Sequence, residues 1–213
     1  MCRNFLNGVL IVIAILSFST ITSAASLTTL FAANNSFAGN TFDIEANKQI
    51  RITGFDVNLS DQGTSANVGV YYKLGTSVGF TDDAGAWTLL GSDTVISNGP
   101  DNPTPLDIGG LTLQPGQLYG IYIFVTDYDT SDVFMLYTNG GPTTYSNDDI
   151  TLTTYAGQGT PIFSGNDFNY RQWNGTIYYD IYAIPTLSEW GMIIFALLLG
   201  GSALWYMRRR VVL

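Results

Sequence analysis

Gly120-Ile121-Tyr122-Ile123-Phe124-Val125 is apolar at the odd positions and at the even ones alike. Successive side chains of a strand point to opposite faces, so a run with no polar side needs cover on both and reads as a central strand. The runs around it alternate instead. Phe42, Ile44 and Ala46 keep period two, Asn47-Lys48 turns the chain, and Ile50 and Ile52 take the alternation up again. After Gly54 the phase changes, to Phe55, Val57 and Leu59. One extra residue in a strand flips every later side chain to the other face, so a glycine at the change predicts a β-bulge.

The same signals continue along the chain. Asp61-Gln62-Gly63 predicts a turn, and Val68, Val70 and Tyr72 a strand. Further strands are expected over residues 87–90, 94–96, 106–113, 133–137, 150–154, 161–163 and 176–182, with Asn139-Gly140-Gly141-Pro142 and Asn174-Gly175 as turn signals. No stretch between residues 26 and 183 has a helical period. Roughly ten short strands at regular spacing indicate an all-β fold, a single antiparallel β-sandwich of jelly-roll or Ig-like type. The lead-in to the central strand, Leu113-Gln114-Pro115-Gly116-Gln117-Leu118-Tyr119, resembles the tyrosine corner of β-sandwich domains, which implies that Tyr119 packs and hydrogen-bonds there.

Both ends of the chain are apolar. Arg3, an apolar run over residues 9–16 and the small residues Thr22-Ser23-Ala24-Ala25 form a secretory signal peptide, residues 1–25, with cleavage expected after Ala24 or Ala25. Cys2 is the single cysteine and leaves with that segment, so the mature chain has no disulfide, catalytic thiol or zinc-thiolate site. At the other end, residues 190–207 would rise about 27 Å as a transmembrane helix, against a hydrocarbon core of roughly 30 Å. Gly200, Gly201 and Ser202 lie mid-run, and Trp190 and Trp205 stand near its ends, where indole rings prefer the interface. Arg208, Arg209 and Arg210 follow at once as a membrane stop. The positive-inside bias keeps them in the cytoplasm and places residues 26–183 outside the inner membrane.

Ile184-Pro185-Thr186-Leu187-Ser188-Glu189-Trp190-Gly191 opens this tail. It resembles the IPTLxxWG type of C-terminal sorting signal (IPTL-CTERM) of exported Gram-negative proteins; Ile184, Pro185, Thr186, Leu187, Trp190 and Gly191 fill its six fixed positions. The resemblance covers residues 184–213 and hardly touches the domain. It implies an exosortase, a membrane-embedded cysteine transpeptidase, as partner. It also implies an inner-membrane intermediate that later reaches the cell surface or the extracellular space.

Between residues 26 and 183 sixteen acidic residues stand against Lys48, Arg51, Lys73 and Arg171, a net charge of −12. Such a body repels nucleic acid and anionic polymers but not cations or neutral glycans. Histidine is absent from the whole chain, which excludes Ser-His-Asp and Cys-His triads and histidine metal sites. Glu45 is the only glutamate between residues 26 and 183, and nothing marks two carboxylates as facing each other, so no enzyme activity is expected. Asp127-Tyr128-Asp129-Thr130-Ser131-Asp132 is the one acidic cluster with ligand-like spacing. Calcium accepts many oxygens in irregular geometry and is the cofactor that Asp127, Asp129 and Asp132 would hold; the EF-hand pattern is not met, and a solvated connection is the alternative.

Thirteen tyrosines, twelve phenylalanines and four tryptophans are the other unusual feature, and Phe168, Tyr170, Trp173, Tyr178, Tyr179 and Tyr182 crowd the end of the domain. Exposed rings beside polar side chains stack on and hydrogen-bond sugars, which makes Tyr170, Arg171 and Trp173 candidate glycan-binding residues. Tyrosine is equally a preferred strand residue, whose ring can point inward. The expected function is that of an exported, non-catalytic surface or matrix protein, as in a biofilm matrix, sorted by its tail. The alternative is a carbohydrate-binding module for a surface glycan or exopolysaccharide. Grouped exposed rings favour the module, and buried ones the structural domain.

Overall fold

The computed structural model describes residues 22–182 and 187–210, a β-domain and a C-terminal helix. Residues 1–21 of the expected signal peptide, and Ile184, Pro185 and Thr186 of the tail motif, lie outside the described residues. Among those described, the domain has fifteen strands: β1 (Thr22–Thr28), β2 (Asn35–Phe37), β3 (Gly39–Ala46), β4 (Ile50–Asn58), β5 (Ser65–Leu74), β6 (Thr88–Ile96), β7 (Pro103–Leu106), β8 (Thr112–Leu113), β9 (Leu118–Val125), β10 (Met135–Asn139), β11 (Thr144–Ser146), β12 (Ile150–Gln158), β13 (Asp167–Asn169), β14 (Arg171–Trp173) and β15 (Gly175–Tyr182). β1 begins at Thr22, and the small residues before Ser26 pair along β15.

β9 is central, between β3 and β5 in a sheet of order β11-β12-β3-β9-β5-β6, with β13 also on β12. Ile121, Ile123 and Val125 enter the main core; Tyr122 and Phe124, on the alternate face, belong to a second cluster with Ala38 and Trp87. That second face is covered by loops: Tyr122 meets Trp87 edge-on at 5.4 Å and Phe163 at 5.4 Å, and the Trp87 indole donates to the Phe80 carbonyl at 2.7 Å. Burial of the Tyr122 phenol pushes its pKa well above the usual tyrosine range. Tyr119 is buried at the lead-in, where its hydroxyl accepts from the Gln114 amide at 3.3 Å and donates to Gln117 at 2.9 Å.

The second large sheet runs β1-β15-β4-β7 with β8 also on β4, and a small third sheet runs β14-β10-β2. Among the described residues every named pairing is antiparallel. One apolar cluster draws on all three sheets: Phe42 and Ile123 on the first, Ile52, Phe55 and Ile177 on the second, Met135 and Trp173 on the third. The bulge read at Gly54 is present. Tyr178 faces Gly54 and Tyr179 faces Ile52, so Thr53 has no opposite residue, and Ile50, Ile52, Phe55 and Val57 all reach the core.

The described residues form three antiparallel sheets, two large and one small, and the additional strands are mostly of two or three residues, too short to leave a period. Residues 87–90 and 94–96 are one strand, β6; Val70 pairs with Gly91 and Tyr71 with Leu89, so Leu90 is an extra residue that broke the alternation. Residues 161–163 form a turn, not a strand: Phe163 has φ 62°, and Ile162 and Phe163 pack on the second cluster. Tyr128–Ser131 coils into a single helical turn where the sequence showed no helical period.

Candidate functional site

The tail forms a continuous helix, Leu187–Arg210, in which Gly191–Arg209 is long and apolar enough to cross a membrane. Leu187, Trp190 and Gly191 of the motif therefore lie in its first turns. From Met192 to Arg209 every side chain is exposed except Ile193, which is half-buried. The Arg209 guanidinium sits 3.9 Å over the Trp205 ring, a cation–π contact at the junction of apolar run and basic stop.

The aspartate segment is not gathered around a centre. Both oxygens of Asp127 accept from Asn67, from its amide at 2.9 Å and its side chain at 3.0 Å, which ties the helical turn to β5. Asp129 lies within that turn and Asp132 ends it in the left-handed region, φ 55°. Among the described residues no three Asp, Glu, His or Cys side chains are grouped to hold a metal.

The aromatic end of the domain is split rather than grouped. Trp173 has no exposed surface; it stacks on Phe42 at 4.4 Å and meets Phe55 edge-on at 6.5 Å. Its ring lies against Gly175, where any Cβ would collide with it. That burial removes Trp173 as a sugar platform. Tyr170 is 60% exposed, while Arg171 is half-buried and donates to the carbonyls of Asn169 and Tyr170 at 2.9 and 3.3 Å. Tyr179 is buried, and Phe168 packs edge-on against Phe37 at 5.3 Å. Tyr178 stays 42% exposed, its hydroxyl donating to Asp56 at 2.7 Å, and that hydrogen bond to a carboxylate raises the phenol above its usual pKa.

A cavity of about 320 Å³ opens at the β4 bulge, lined by Arg51, Ile52, Thr53, Asp107, Gly109, Gly110 and Asp180. β8 and β7 pair with β4 on either side of the bulge, and the chain between them is pinned by Gly110 donating to Ile52 and Ile52 donating to Leu111, each at 2.8 Å. Gly109 lies on the Thr53 backbone, where a Cβ would stand 2.6 Å from the carbonyl oxygen. Arg51 and Asp180 are register partners across β4 and β15. Among the described residues, the side chains of Arg51, Asp107 and Asp180 have no hydrogen-bond or ion-pair partner. The sequence marked the bulge at Gly54 but not the Gly109-Gly110 pair that settles against it.

Residues 182–210 match the family model described as the IPTL-CTERM motif, so the tail carries that motif. No curated protein matches the chain. Similar solved structures include the cysteine protease and lectin-like domains of Cwp84, a surface layer associated protein of Clostridium difficile. The identity there is 10% over 74% of this chain and 36% of that one, with TM-score 0.44. Another is the VP2 subviral particle of infectious bursal disease virus, 10% identical over 78% of this chain and 42% of that one, with TM-score 0.26. The chain spans less than half the length of either.

Proposed function

We propose that this is an exported envelope protein. Its C-terminal helix holds it in the inner membrane until an exosortase-like transpeptidase acts at the motif and passes the β-domain to the cell surface or to an extracellular, biofilm-type matrix. The observation that carries this reading is the IPTL-CTERM match, which falls on a helix long and apolar enough to span a bilayer and ends in arginines. Residues 1–25 serve as the signal peptide in this reading. The β-domain is a non-catalytic sandwich of jelly-roll or Ig-like class, supported by the shared core of its two large sheets and by a chain without histidine. Mass spectrometry of the native protein tests it. The mature form is expected to lack residues 192–213, and Pro185→Ala or Trp190→Ala to leave a longer, membrane-retained form. A native C-terminus at Leu213 would reduce the tail to a plain anchor.

A further inference from the structure

We propose that the cavity at the β4 bulge binds one ring of a neutral saccharide, with Tyr178 as the stacking surface and Arg51, Asp107 and Asp180 as partners of its hydroxyls. Tyr178 and Asp180 are two apart on β15, whose alternation is unbroken; they share its outward face, roughly 7 Å apart along the strand. Arg51 lies directly across from Asp180, where cross-strand Cβ atoms stand about 5 Å apart. The recess itself is lined by a guanidinium and two carboxylates, and the exposed Tyr178 ring stands outside that lining, one outward position along β15 from Asp180.

Polarity selects the ligand class. A guanidinium only donates hydrogen bonds and a carboxylate only accepts them, whereas a hydroxyl does both. Adjacent hydroxyls on one pyranose can thus accept from Arg51 and donate to Asp180 or Asp107, while the apolar face of the ring rests on Tyr178. An anion would meet two carboxylates on a domain of net charge −12. A bare divalent ion would lack a third carboxylate and would face the Arg51 charge. The size agrees as well, since about 300 Å³ is the lower bound for small-ligand sites.

The site is also preorganised. The Tyr178 ring is held by its bond to Asp56, and the floor by the Gly110–Ile52 and Ile52–Leu111 hydrogen bonds. Three charged groups without partners beside one cavity contrast with Lys48 and Asp149, which pair at 2.5 Å elsewhere on the surface. The assignment does not depend on tail processing, because an uncut chain presents the same face.

Saturation-transfer NMR on the full chain, in micelles of a zwitterionic detergent free of sugar, tests the proposal. Methyl glucoside, methyl galactoside and N-acetylglucosamine are the neutral probes; glucosamine and glucuronate are the charged comparators. Transfer to at least one neutral probe is expected, weakened about tenfold by Arg51→Ala and by Tyr178→Ala, the loss of one strong contact each. Tyr170→Ala, which removes the ring picked out by sequence, should leave binding unchanged. Both altered side chains are exposed, and an unshifted melting temperature confirms folding; Arg51→Gln serves if Arg51→Ala does not fold. Three results overturn the proposal: no transfer to any neutral probe, binding confined to glucosamine, or neutral binding that survives both substitutions.

Discussion

Ile121 and Ile123 on β9 have no exposed surface, whereas Ile194 and Leu198 in the C-terminal helix keep 55% and 67% of theirs. The side chains are nearly the same hydrocarbon; what differs is how the backbone distributes them. In the β-domain, alternation sends apolar residues to shared faces, and where β9 has two apolar faces each finds its own cluster. In the helix, a run apolar all round offers no polar face to water. The first arrangement supplies its own apolar solvent, and the second needs one from outside, which a bilayer provides.

The largest expected effect comes from separating the two. A chain ended after Tyr182 should move wholly from the membrane fraction to the soluble one and keep an antiparallel-sheet circular dichroism spectrum. Material that still needs detergent would break the contrast. Next in size are single truncations within each region. Trp173→Ala should cost about 3 to 5 kcal/mol in urea unfolding of the domain, because its stack on Phe42 leaves a cavity. Leu198→Ala should change that transition by less than about 0.5 kcal/mol. Equal costs would mean that the exposed helix is part of the domain's core after all.

The smallest effect reads burial through protons. Tyr122, Tyr137 and Tyr179 each have a pKa raised chiefly by burial. The unfolded chain therefore loses these protons first. Their contribution to stability is complete below the ordinary value of 10.0 and declines as pH rises above it toward the folded values. Tyr122 steepens the decline by at most about 1.4 kcal/mol per pH unit, and Tyr122→Phe should remove that increment. A pH profile unchanged by Tyr122→Phe would show that the second cluster admits water.

How much of this was legible in the sequence depended on run length. The six residues from Gly120 to Val125 announced a strand covered on both faces, and the phase change at Gly54 announced the Thr53 bulge, because both features are written in period two. The tail was legible for the same reason: eighteen apolar residues admit few readings. Strands of two or three residues, such as β8 and β14, span less than two periods and left no trace. Trp173 was misjudged because composition cannot say which way a ring points; the signal available was Gly175 two residues on, which makes room for the indole on the inward face. The Asp127 segment was read from spacing along the chain, which is not spacing in space: Asp127 is tied to Asn67 on β5, while Asp132 ends the helical turn.

β1 and β15, the first and last strands of the β-domain, pair antiparallel with their outer ends together, Thr22 against Tyr182. That placement has a mechanical consequence. Tension applied between these ends meets the rungs one after another, as in a zip, and not all together as in shear. With residues 1–25 removed as the signal peptide, the first rung of the mature ladder is Ser26 with Tyr178, and peeling starts there. It is checked first at Leu27, which is buried, and then at Thr29, whose hydroxyl holds the carbonyls of Trp173 and Gly175 at 2.7 and 3.1 Å. A domain tethered through Tyr182 alone carries no load across this seam; one gripped at both ends opens there first.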